Sequence, residues 1–143
     1  MKIYQLTLFL LGTIFLAGCK RQFEPITYGR EACTHCKMTI MDKRFAAEII
    51  TSKGKAIKFD DFGCLLSWLK SEKFKDPGAM IFVADFDHPG GDFLNARNAI
   101  FTRDETFKSP MNGNLAASAS EIEANRLTKD VHGQLLTWLE LNK

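Results

Sequence analysis

The chain has 143 residues, a net charge of +2 and a hydrophobic content of 45% that includes twelve phenylalanines. That is enough apolar mass for one compact domain or two very small ones, and it excludes a disordered or low-complexity protein. Acidic and basic residues are mixed along the whole chain with no basic stripe, so there is no electrostatic footprint for nucleic acid.

The first residues read as a targeting segment. Lys2 is a minimal basic region, Leu6 to Phe15 is apolar apart from Thr7, Gly12 and Thr13, and small residues precede Cys19. The run from Ile3 to Gly18 covers 16 residues, short of the roughly 20 that a spanning helix needs. Residues 1–18 are therefore expected to be a signal peptide that is removed, leaving 125 residues and a net charge of +1. Leu16-Ala17-Gly18-Cys19 resembles the lipobox of bacterial lipoproteins, which implies acylation of the Cys19 thiol and attachment to the membrane. Three acyl chains hold firmly at about 0.8 kcal/mol per buried CH2. The alternative is an ordinary secretory signal with Cys19 incidental. Lys20 lacks the acidic character linked to inner-membrane retention in enteric bacteria, which points to the outer membrane of the cell envelope, facing the periplasm.

Residues 19–32 carry Pro25 and Gly29 and no apolar period, the pattern of a lipidated N-terminus and linker. The 14 residues from Cys19 to Cys33 would reach at most roughly 45 Å at about 3.3 Å each. Next comes Cys33-Thr34-His35-Cys36-Lys37-Met38, two thiols and a thioether within six residues. Thiolate and thioether together favour Cu(I), whereas a thioether is a poor ligand for zinc. With Cys19 acylated, Cys33, Cys36 and Cys64 remain, an odd number that no disulfide framework accounts for in a monomer.

Phe45 to Ser52 and Ala56 to Phe59 are strand-like and flank a turn at Ser52-Lys53-Gly54-Lys55, which predicts a hairpin. Asp60 or Asp61 then caps a helix in which Phe62, Leu65, Leu66 and Leu69 form an apolar stripe. After the turn at Asp76-Pro77-Gly78, Ala79 to Phe86 reads as an interior strand. Asp87 to Asp92 is turn-rich and separates the halves. Asn98 to Thr102 and Asn114 to Ala119 read as strands, Ser120 and Glu123 have capping-box spacing for a helix to Asp130, and Leu135 to Leu139 reads as a strand or a terminal helix. The expected fold is α+β, two small ββαβ units over residues 33–90 and 91–143 packed as an internal repeat.

Cys36-Lys-Met38, Arg44-Phe-Ala-Ala-Glu48, Phe59-Asp-Asp-Phe-Gly-Cys64, Asn95-Ala-Arg97, Ser109-Pro-Met111 and Leu136-Thr-Trp138, in that order, resemble the NosL family of nitrous oxide reductase accessory lipoproteins. The resemblance implies a Cu(I)-binding protein of two ββαβ units that serves assembly of the copper-sulfide catalytic site. It implies as partners apo nitrous oxide reductase and its membrane maturation transporter. The chain departs from a common family form, Cys-Gly-Met, by carrying Lys37 between the sulfur residues.

The residues support the same ligands on their own chemistry. Alternate residues of an extended segment share a face, so Cys36 and Met38 would address one ion if this stretch is extended. A Cys-x-x-Cys turn brings Cys33 within reach, and His35 inside the cluster either adds an imidazole or faces solvent. Met111, between Pro110 and Gly113, is the distant candidate, and the resemblance also assigns that position to copper. Met41 and Met80 lie in apolar contexts and read as core. Cys64 shares a stripe with Trp68 and reads as buried before it reads as a ligand. Two other chemistries fit parts of the pattern: a thiol-disulfide reductase using Cys33 and Cys36, and a zinc staple from Cys33, Cys36, Cys64 and a histidine. Asp60-Asp61 is explained by helix capping, and no pattern for a catalytic nucleophile or a phosphate loop is present.

Overall fold

A computed structural model describes residues 22–71, 74–130 and 132–143, so the expected signal peptide and the acylation site at Cys19 lie outside the described residues. Strand β1 (Ala47–Ile50) pairs with β2 (Ala56–Phe59) through a hairpin closed by the Thr51 N–H on the Lys55 carbonyl at 2.9 Å, with Gly54 at φ +82°. Helix α1 (Phe62–Lys70) leads to β3 (Met80–Val83) on the other side of β1, and the two-residue β4 (Leu94–Asn95) completes the order β2-β1-β3-β4. Both neighbours of β1 run antiparallel to it and hence parallel to each other, and joining parallel strands takes a crossover that α1 supplies.

The second half repeats this plan. Strand β5 (Ile100–Arg103) is central, flanked by β6 (Leu115–Ser118) and β7 (Gln134–Thr137). Helix α2 (Glu121–Asp130) connects β6 to β7, and α3 (Trp138–Leu141) follows. The fold is α+β, and each half has the order ββαβ. The capping box forms as expected: Ser120 N–H donates to Glu123 and Glu123 N–H to the Ser120 hydroxyl, at 3.1 and 3.3 Å. Leu135 to Leu139, legible as strand or helix, is divided between the end of β7 and α3.

Hydrogen bonding continues past the ends of β1 and β3 in the same register and then passes to the second sheet. Ala84 N–H donates to the Ala46 carbonyl, while Phe86 N–H donates to Ala117 of β6 at 3.0 Å, carrying the chain from the first sheet to the second. A single apolar core joins the sheets. Phe62 of α1 stacks on Phe101 of β5 with centroids 4.7 Å apart and planes 6° off parallel, and Trp138 packs beside them at 6.4 Å. Burying side chains of this size contributes about 1.5–3 kcal/mol each.

Residues 22–32 form no regular element, yet they lie across the outer face of the first sheet. Phe23 stacks on Phe93 at 4.1 Å and meets the edge of Phe82 at 6.1 Å, and Ile26 is buried. Glu24 N–H donates to Glu48 of β1, and the Lys58 ammonium of β2 bonds Glu24, the Pro25 carbonyl and Glu31. All four residues of β1 are buried as a result, one face under this strap and the other on the core.

Candidate metal centre

The Cys-x-x-Cys segment is a closed loop. Ala32 bridges Thr39 in antiparallel fashion, Cys33 N–H donates to the Met38 carbonyl at 2.8 Å, and Lys37 N–H donates back to the Cys33 carbonyl at 3.0 Å. Lys37 sits in left-handed backbone at φ +68°. The condition under which Cys36 and Met38 would share a face, an extended Cys36-Lys37-Met38, is not met. Cys36 lies in the turn and the left-handed residue redirects the chain, so the alternation that would put both sulfurs on one face does not apply. Met38 is 52% exposed, whereas Cys36 is half-buried and its thiol donates to Asp60 Oδ1 at 3.3 Å.

Three elements converge on this loop. Asp60 comes from the end of β2 and Cys64 from the first turn of α1. The sulfur atoms of Cys33, Cys36 and Cys64 and a carboxylate oxygen of Asp60 all lie within 4.8 Å of one another. The three cysteines are free thiols. Cys33 and Cys64 are only 1% and 2% exposed. Burial, then the hydrogen bond with Asp60, pushes the Cys33 thiol up to about 11. Cys64 is pushed up further, by burial first and then by the neighbouring Cys33, Asp60 and Cys36. At neutral pH both buried sulfurs hold their protons, and a metal that binds must release them.

Cys64 is both things its sequence context allowed: a buried residue of the α1 stripe and a member of the thiol cluster. Asp60 was missed. Two adjacent carboxylates at a helix start exceed what one N-cap needs, and that surplus was the available signal. Asp61 is the cap, accepting the Gly63 N–H at 2.6 Å, which leaves Asp60 to the thiols.

Above Cys64 lies a cleft of about 220 Å³ lined by His35, Gly63, Cys64, Ser67, Met111 and Gly113. His35 is exposed and Met111 is 42% exposed. The fold thus brings Cys33, Cys36 and Cys64 together, sets His35 and Met111 at the rim beside Cys64, and leaves Met38 outside the lining of this cleft. Met41, read as core, is 66% exposed because it lies in the loop before β1 and not in a strand. His88 pairs with Asp85 at 3.0 Å and His132 is exposed, both away from the thiols. A larger cleft of about 340 Å³, between the end of α1 and α3, contains no soft donor.

Three thiols and one carboxylate around a point form a soft, partly anionic donor set that suits thiophilic ions, Cu(I) or Zn(II), and not hard cations. The NosL family profile matches residues 25–143, so the chain belongs to the NosL family. The crystal structure of the copper chaperone NosL from Shewanella denitrificans superposes with a TM-score of 0.70 at 22% identity, over 84% of this chain and 95% of that one, and shares its fold. Among curated proteins none matches at a significant level.

Proposed function

We propose that this NosL-family chain is a membrane-anchored, non-enzymatic copper carrier. It takes one Cu(I) on its thiol cluster and passes it on for assembly of the copper-sulfide site of nitrous oxide reductase, with that apoenzyme and its maturation transporter as partners. Cys19 is the acylated anchor on this reading, and the protein faces the periplasm from the outer membrane. The observation that carries the proposal is the convergence of three free thiols within 4.8 Å, one of which, Cys64, lines an open cleft. The name of the Shewanella relative, a copper chaperone, supports the same cargo.

Cu(I) is satisfied by two or three soft ligands. Cys33, Cys36 and Cys64 supply thiolates, and Met111, His35 and Met38 are further donors at or near the surface. A site that is buried at its thiols and open at its rim lets an acceptor's own sulfur approach without unfolding the carrier. The burial that raises the Cys33 thiol works against a reductase, whose attacking cysteine needs a stabilised thiolate. Asp60 gives zinc a complete tetrahedral set with the three cysteines, so zinc is the one competing cargo that the geometry favours.

Anaerobic titration of Cu(I) against a chromophoric chelator tests the reading. One equivalent should bind per chain, and Cys36→Ser, Cys64→Ser and Met38→Ala should each lower the affinity, the cysteine variants most. Parent-like binding in both cysteine variants, or zinc displacing Cu(I), sinks the proposal.

A further inference from the structure

We infer that Asp61 is a positioning residue for this centre, holding Met111 beside Cys64 by gripping the loop of the second half; the inference rests on the copper reading above. An N-cap needs one acceptor oxygen, and Asp61 gives Oδ1 to Gly63 N–H at 2.6 Å. Its Oδ2 serves another purpose. It accepts the Ser109 hydroxyl at 2.5 Å, the Met111 N–H at 2.9 Å and the Gly113 N–H at 3.4 Å. These donors lie 48 to 52 positions further along the chain, and none of them belongs to the helix that Asp61 caps.

The loop is built to close on this carboxylate. Ser109 is buried, its hydroxyl also accepts the Asn114 N–H at 2.7 Å, and its own N–H donates to Asn114 Oδ1 at 2.9 Å. Asn112 and Asn114 take left-handed backbone at φ +55° and +49°, conformations that asparagine adopts more readily than most residues. Two glycines make room for the approach. A Cβ at Gly63 would lie 2.9 Å from Gly113 Cα, and one at Gly113 would run into Asp61 Oδ1. Met111, Cys64 and His35 then share one cleft. Asp61 therefore couples the helix that carries Cys64 to the loop that carries Met111, fixing the Met111 backbone, and so the reach of its side chain, relative to the thiol.

Asp61→Asn leaves one acceptor oxygen where two are used, so an amide NH2 faces either the Gly63 N–H or the three loop donors and the helix and the loop are no longer both held. Full-length parent, Asp61→Asn, Met111→Ala and the double variant are titrated with Cu(I) against a chromophoric chelator under reductant. Each single variant should lose about tenfold in affinity, and the double variant should lose no more than either, since both remove the same ligand. With 13C-methyl-methionine labelling, the Met111 signal should shift on Cu(I) addition in the parent and stay put in Asp61→Asn. If Asp61→Asn does not fold, Ser109→Ala, which removes one of the three donors, takes its place under the same criterion. Parent-like affinity in Asp61→Asn or in Met111→Ala, or losses that multiply in the double variant, overturns the inference while the carrier reading stands. A parent chain that takes up no Cu(I) overturns the carrier reading itself and this inference with it.

Discussion

The amide of Thr34 donates to the carbonyl of Lys58 across 2.8 Å, and this bond sets the thiol loop on the strand that delivers Asp60. The Lys58 ammonium meanwhile holds Glu24 at 2.9 Å and Glu31 at 2.8 Å. One residue of β2 thus joins the strap, the thiol loop and the sheet. The centre is anchored through the backbone, independently of any metal.

Lys37 carries the conformational cost of this loop. A side chain in left-handed backbone costs roughly 1–2 kcal/mol that glycine avoids, offset in part by the greater freedom of glycine in the unfolded chain. Lys37→Gly should therefore stabilise the protein by about 0.5–1 kcal/mol, even though the ammonium's 2.6 Å bond to the Thr34 carbonyl is lost. Lys37→Ala loses the same bond and keeps the strain, so it should melt no higher than the parent. Thermal unfolding of the three proteins decides; equal gains from glycine and alanine would assign the effect to the charge.

Glu48 makes stability depend on pH. It is fully buried in β1, one carboxylate oxygen accepts Glu24 N–H at 2.8 Å, and the other has no partner. Burial first, with smaller contributions from Glu24 and Glu31, pushes it up to about 7, while Glu24 N–H and the Lys58 charge pull down. The folded state then binds this proton more tightly than the unfolded chain. Its stabilising contribution is complete below about pH 4.5 and is lost as pH rises through about 7. Glu48→Gln should match the parent at about pH 4 and exceed it by roughly 1–3 kcal/mol at about pH 8.5 in urea unfolding. A parallel pH profile for the two proteins would exclude Glu48 as the titrating group.

The three thiols should differ in reactivity. Cys33 and Cys64 are buried, with Cys33 pushed up to about 11 and Cys64 also raised, whereas Cys36 is half-buried at the loop surface. Iodoacetamide at pH 8 should label Cys36 first and reach Cys33 and Cys64 only on unfolding. Cu(I) bound at the cluster should slow the Cys36 reaction. Peptide mass spectrometry reads the order; early labelling of Cys64 would show that the first turn of α1 opens readily.

Gly113→Ala should be among the most damaging single-methyl changes in the chain. Its Cβ would meet Asp61 Oδ1 and approach the Gly63 backbone to 3.0 Å, and forcing such contacts costs typically 1–3 kcal/mol. The denaturation midpoint should fall accordingly. An unchanged midpoint would mean that the loop yields without consequence and that the grip on Met111 is loose.

Features with a local signature were legible in the sequence. The Ser52 to Lys55 turn, the α1 stripe and the Ser120 to Glu123 box each depend on residues a few positions apart, and each forms. The two-residue β4 was not legible, since so short an edge strand has no periodicity to read. Asp60 and Asp61 show the same limit at the centre: one meets a thiol 24 positions back, the other a serine 48 positions ahead. Both first reduce to helix caps when only near neighbours are considered. Residues 22–32 lacked a period because Phe23, Ile26 and Tyr28 dock as separate side chains and not as a strand or helix face.

That docking changes what anchoring would mean. Because Phe23 is already stacked on Phe93, acylation at Cys19 would leave a leash of only four residues, about 13 Å at full stretch by 3.3 Å per residue. On such a leash the body is moored and does not drift. The leash limits how far the strap could stand from the lipid to about that length. An acceptor held in the same membrane would then be met by a search in two dimensions and within a bounded height.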